Sequence, residues 1–182
     1  MGSMRNFLLL VILGVTPSVQ VQSVQQPDVP TALYERKGDR IVDAPPGDFA
    51  VAQTYHAFPN KGPVKEGQRL TILTSKRHYG IGEPVRVIHV LESITPGNKV
   101  YVMGPKTMTD EYVDGKRVTA EGPLSEPYRG AVLDRPIADF NYEITIYTFT
   151  TAGRHTIQWK GYGGWGDQVH LDSNTITIEV GQ

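Results

Sequence analysis

Cysteine is absent from all 182 residues. That excludes disulfides, thiolate metal sites and cysteine nucleophiles, and leaves an apolar core as the only means of holding the fold together. A charge excess is missing too, with 18 Lys plus Arg against 19 Asp plus Glu. Without a field of one sign to draw in a polyanion, nucleic acid is not an expected partner. The mixed clusters Glu35-Arg36-Lys37 and Lys76-Arg77-His78 are the kind that solvated turns carry, and both are expected at the surface. There is no Gly-x-Ser-x-Gly elbow, no phosphate-binding glycine loop before a helix and no carboxylate pair spaced for glycosidase work. Neither catalysis nor a cofactor is therefore expected.

Long apolar runs are equally scarce. The main one, Phe7 to Val15, is relieved only by Gly14 and falls well short of the roughly 20 residues a bilayer-spanning helix needs. With Arg5 ahead of it and Val21-Gln22-Ser23 behind, it reads as a secretory signal peptide over residues 1–23. Cleavage would leave no membrane span and place the protein in the periplasm or outside the cell. A retained tether is the alternative. Met1-Gly2-Ser3, ahead of a second methionine at Met4, reads as a cloning remnant.

Residues 24–67 are polar and punctuated by Pro27, Pro30, Pro45, Pro46, Pro59 and Pro63, which break any long helix or central strand. Within them, Leu33 to Arg36 and Arg40 to Val42 flank Gly38-Asp39 as a small hairpin, and the aromatics of Phe49 to Phe58 suggest one more strand. The segment is expected to be a partly ordered, extended arm packed on the domain, with a flexible leader as the alternative.

A regular domain is expected over residues 68–182. Pro84 to Leu91 is apolar on both faces, which points to a central strand. Thr95-Pro96-Gly97-Asn98 signals a turn before a strand at Lys99 to Met103. Asp114-Gly115 joins two short strands as a hairpin dipeptide. Residues 120–140, broken by Pro123, Pro127 and Pro136, are expected to form a long connection between sheets.

The last third is the most regular. Tyr142, Ile144 and Ile146 alternate with Glu143, Thr145 and Tyr147. His155, Ile157 and Trp159 then face inward, and Ile176, Ile178 and Val180 close the core. About eight short strands with turns every 8 to 12 residues fit a sandwich. The stretches Thr151 to Trp159 and Ser173 to Val180 resemble the closing hairpin of secreted immunoglobulin-like and fibronectin-like domains, with His155 where a tyrosine often stands. That resemblance implies an all-β, immunoglobulin-like Greek-key β-sandwich.

Gly161-Tyr162-Gly163-Gly164-Trp165-Gly166-Asp167 joins the last two strands and is the best candidate site. Its glycines allow close backbone approach, and its two aromatics offer a large contact area with few rotatable bonds. Tyr162, Gly163, Gly164, Trp165 and Asp167 are the expected ligand-binding residues, unless Trp165 merely folds back over the core. The expected function is a secreted, non-catalytic binding module for a protein or glycan at the cell exterior. Ala152-Gly153-Arg154-His155 with Trp165 is also similar to chagasin-type inhibitors of cysteine proteases, whose hairpin carries Ala-Gly-x-His and a tryptophan after Arg-Pro. Here Gly163-Gly164 replaces Arg-Pro, and Ser93-Ile94-Thr95-Pro96-Gly97 stands in place of Asn-Pro-Thr-Thr-Gly. Inhibition is accordingly the second expectation and a structural surface subunit the third.

The histidines, His56, His78, His89, His155 and His170, follow no metal-ligand spacing. His155 and His170 flank the last hairpin and are near enough in sequence pattern to approach one another, but no metal is expected. His89 reads as a satisfied core residue. The acids Asp110, Glu111 and Asp114, and the group Asp167, Asp172 and Asn174, read as turn formers and solvated side chains rather than a calcium site.

Overall fold

The computed structural model describes residues 30, 32–118, 130–163 and 169–181. The expected leader over residues 1–23 lies outside them. In chain order the first strands are β1 (Tyr34–Lys37), β2 (Arg40–Asp43), β3 (Gln68–Leu73), β4 (His78–Gly80), β5 (Pro84–Ser93) and β6 (Val100–Val102). β7 (Glu111–Val113), β8 (Lys116–Val118), β9 (Ala131–Leu133), β10 (Ile137–Asp139), β11 (Glu143–Thr148), β12 (Gly153–Gly163) and β13 (Val169–Gly181) follow. The described residues hold one α-helix, α1 (Pro46–Gln53), which runs into a 3-10 turn at Thr54–Ala57. Among the described residues no helix is long and apolar enough to cross a membrane.

β5 organises the molecule because both of its faces are apolar. Val85, Val87 and Leu91 enter one core, while Ile88 and Val90 enter another. β3 runs antiparallel to it, and β10 and β11 pair antiparallel with its two ends. β11 pairs in parallel with β1, which forms a hairpin with β2 around Gly38, whose φ of 62° a glycine adopts without strain. A second sheet runs β4-β13-β12-β7-β8, with β4 parallel to β13, and β6 and β9 form a small separate pair. The two larger sheets enclose the main core, in which Leu70, Ile72, Val87, Ile157, Trp159 and Ile178 are all buried. The fold is mostly β, in mixed sheets, and is compatible with a β-sandwich.

The segment before β3 adds a third layer. α1 and the 3-10 turn cover the outer face of the β5 sheet, where Leu33, Ala52, Tyr55, Ile88, Phe140 and Ile144 make the second core. The strand expected over Phe49 to Phe58 is therefore corrected to helix. Pro46 near the helix start sets a compatible φ, Asp48 lies in the first turn, and buried Asp48, Ala52 and Tyr55 recur at a helical spacing. Counting aromatics there missed this 3.6-residue period.

Other expectations are corrected as well. The long connection over 120–140 contains β9 and β10, while its residues 120–129 lie outside the described ones. From Gln68 onward the described residues form eleven strands rather than eight. Tyr142 does not share a face with Ile144: it packs with Tyr147 and Phe149 on the main core, and Ile146 is largely exposed. The Asp114-Gly115 hairpin forms as expected, with φ of 49° and 74°.

The sheets are joined at one corner by a β-bulge. The register between β12 and β13 shifts between Gln158 and Lys160, so two residues oppose Trp159. Ser173 Oγ accepts a hydrogen bond from the Trp159 main-chain N–H at 2.9 Å. Displaced by the bulge, Asn174 turns its amide onto β3, accepting from Ile72 N at 2.8 Å and donating to Ile72 O at 3.0 Å. Gly62 packs beside this seam, where an added Cβ would lie 1.9 Å from Leu70 O and 3.0 Å from Asn174 N. Both neighbours are main chain and cannot rotate away. Gly62→Ala is expected to lose about 1–3 kcal/mol of stability in urea unfolding; a loss under about 0.5 kcal/mol would contradict a tight seam.

Candidate functional site

β12 and β13 continue as a two-stranded hairpin beyond their neighbours in the sheet. β7 meets β12 only over Ile157–Trp159, and β4 meets β13 only over Glu179–Gly181. The far end of the hairpin lies down on the start of β3. Leu171 is buried, Lys65 Nζ donates to His170 O at 3.1 Å, and the glycines make room. A Cβ on Gly163 would stand 2.0 Å from Gln68 Oε1, and one on Gly161 would stand 2.9 Å from Trp159 Nε1. These two glycines press the hairpin's inner face flat against the domain.

Alternation along β12 then sends the residue between them outward. Tyr162 is 53% exposed, and it meets His170 across the hairpin edge to face, with ring centroids 5.3 Å apart. Lys160 and Asp172 face each other one step further in, and the Lys160 ammonium lies 5.1 Å from the Tyr112 ring centroid. The outer face of the tip is thus an aromatic pair flanked by one cation and one acid. Of the expected site residues, Tyr162 and Gly163 lie here, one outward and one inward. Gly164, Trp165 and Asp167 fall outside the described residues.

His155 and His170 do not come together. His155 is opposite Ile178 and His170 opposite Tyr162, seven positions apart along β12. His155 instead bonds Asp114 Oδ2 at 2.7 Å and lies against Phe149. Asn174 holds Ile72, and Asp172 is solvated. Among the described residues no group of three or more His, Cys, Asp or Glu side chains is arranged to hold a metal.

Sequence reading missed a set of buried acids. Glu111, expected to be solvated, is 2% exposed. Its Oε1 faces His89 Nε2 at 2.9 Å, and its Oε2 accepts from the Tyr147 hydroxyl. Burial pushes its carboxyl up, but the charge and hydrogen bond of His89, with the Tyr147 hydroxyl, hold it below the ordinary value of 4.5. Burial and the neighbouring Glu111 charge raise the Tyr147 phenol. His89 Nδ1 faces Glu143 O at 3.1 Å, so both ring nitrogens point at acceptors.

Glu143 lies nearby, taking Arg36 Nε at 3.0 Å and Met108 N at 3.1 Å. An open cleft of about 270 Å³ runs between Arg36, Met108, Glu111, Glu143 and Tyr147. The Glu35-Arg36-Lys37 cluster is likewise not at the surface throughout: Glu35 is buried and paired to Arg86 and Lys37. The available signal was strand period, which puts Glu35 on the same side as buried Leu33 and Glu143 beside Tyr147. Comparison with family models, with curated proteins and with solved structures finds no match for this chain.

Proposed function

We propose that this chain is an exported, non-catalytic binding module whose contact surface is the outer face of the β12–β13 tip. One observation carries the proposal: Tyr162 is turned to solvent between two glycines whose inner faces are packed shut. A large ring held on a rigid strand pair loses little conformational entropy when it meets a partner. Tyr162 and His170 make the described part of that surface, Gly163 seats it on the domain, and Gly164, Trp165 and Asp167, outside the described residues, complete the proposed site. The partner is a protein or a glycan outside the cell. The non-catalytic part is supported by the fate of the activated-looking groups: His89 is fully buried with both nitrogens engaged, and Glu111 and Glu143 are each held by internal donors.

The finer architecture we propose is an immunoglobulin-like Greek key. Strand order supports it, since β3-β5-β11 stand as A-B-E and β13-β12-β7-β8 as G-F-C-C′. β4, parallel to β13, continues the first strand onto the opposite sheet. The hairpin tip then corresponds to the F–G loop end, a common place for recognition.

Tyr162→Ala and Trp165→Ala, screened with the wild type on glycan arrays and extracellular protein panels, test this. Each is expected to leave the melting temperature unchanged and to weaken the binding found by more than about 1 kcal/mol. Full binding by both folded variants would remove the tip from the account.

A further inference from the structure

A second cleft, of about 390 Å³, opens along the edge of β13 that β12 leaves free, with Arg154 of β12 also in its lining. Between the Asn174 seam and the short β4 pairing, no described strand covers that edge. Glu179 N donates to Arg77 O across it at 2.8 Å. By the two-residue period of a strand, Thr177 and Thr175 present their main-chain N–H groups to the same side. The cleft is lined by Asn60, Thr74, Ser75, Thr175 and Thr177, with Lys76, Arg77 and Arg154.

No acid is in its lining among the described residues. Glu83 neutralises Lys76 at 2.6 Å. Glu179 is the cross-strand neighbour of Arg154 but lies 3.5 Å from His78 and outside the lining. Arg77 and Arg154 have no ion pair among the described residues. Two arginines without an ion pair, the main-chain amides of a strand edge and several hydroxyls thus line a cleft that holds no carboxylate among the described residues.

From this we infer that the cleft between β13 and the 74–77 loop binds a tetrahedral oxyanion, a phosphate or sulfate group. Planar guanidinium groups match its oxygens in pairs, and main-chain N–H groups bind it as they do in other anion-binding concavities. The site shares no residue with the hairpin tip, so each stands or falls alone.

Amide chemical shifts of the full chain, titrated with inorganic phosphate and with sulfate at low, fixed ionic strength, test the inference. The expected result is saturable change confined to residues 74–77, 154 and 175–177, with chloride without effect. Arg77→Gln and Arg154→Gln are each expected to weaken binding about tenfold, since a charge-assisted hydrogen bond is lost. Arg40→Gln, a charge removed from β2, is expected to leave it unchanged. A sulfated disaccharide binding more tightly than inorganic sulfate assigns the group to an ester on a glycan; equal affinity assigns the free ion. Shifts that do not saturate, or equal binding by wild type and both cleft variants, overturn the inference.

Discussion

His89→Ala is expected to destabilise the fold by about 3–5 kcal/mol at neutral pH, because it removes one partner of a buried pair and keeps the other. The Glu111 carboxylate, buried in the wild type, would keep the Tyr147 hydroxyl but lose the ring beside it, and the Glu143 carbonyl would lose its donor. The edge-on contact of His89 with Trp159, at 5.4 Å between centroids, would go as well. Glu111→Gln is expected to cost less, about 1–2 kcal/mol, since an amide oxygen still accepts from the ring. Equal losses for the two variants in urea unfolding would contradict an unpaired buried carboxylate as the source of the larger effect.

The pH dependence has a definite sign. The Glu111 carboxyl is depressed in the folded state, so its contribution is fully present above the unfolded value of 4.5 and is lost as pH falls through the native one. The wild type should therefore lose stability on acidification below pH 4.5. His89→Ala should lose less over the same range, because its remaining carboxyl no longer has a cationic neighbour to keep it ionised.

Arg86→Met is the second large effect, also about 3–5 kcal/mol, and for a related reason. Arg86 Nε bonds both Asp48 oxygens, at 3.1 and 3.0 Å, and its Nη2 bonds Asp48 Oδ2 at 2.7 Å and Glu35 Oε2. One guanidinium thus ties α1 and β1 to β5 from beneath the helix. Methionine would fill the space of its stem but leave two carboxylates facing each other over an apolar floor, with only Lys37 on Glu35. Adding Asp48→Asn and Glu35→Gln is expected to recover most of the loss. Failure of that triple variant to recover stability would mean that the guanidinium acts through packing alone. Burial pushes the Glu35 carboxyl up, yet Lys37 and Arg86 hold it below its ordinary value, so this centre too weakens in acid.

These centres were the least legible part of the sequence. Strands declared themselves wherever one face is apolar, as in β12 and β13, or both are, as in β5. The Asp114-Gly115 and Gly38-Asp39 turns were legible because the positive φ of Asp114, Gly115 and Gly38 favours such residues. A buried acid carries no such local mark. Its partner comes from far along the chain, Arg36 from 107 residues away for Glu143 and Arg86 from 38 away for Asp48. Only the fold makes the charge affordable, and a pattern of neighbours reads it as solvated. α1 was hidden for the same reason, since the face it covers is assembled from residues as far apart as Leu33, Leu73, Ile88 and Ile144. At the candidate site, the sequence pointed to the glycines and Tyr162, whereas the pairing with His170 depends on the register of the hairpin.

Hydrogen–deuterium exchange with and without a partner found by the panels tests the central claim most directly. Protection of residues 160–163 and 169–172, absent in Tyr162→Ala at the same partner concentration, is the predicted result. Protection confined to other strands, with the tip exchanging at its free rate, would contradict it.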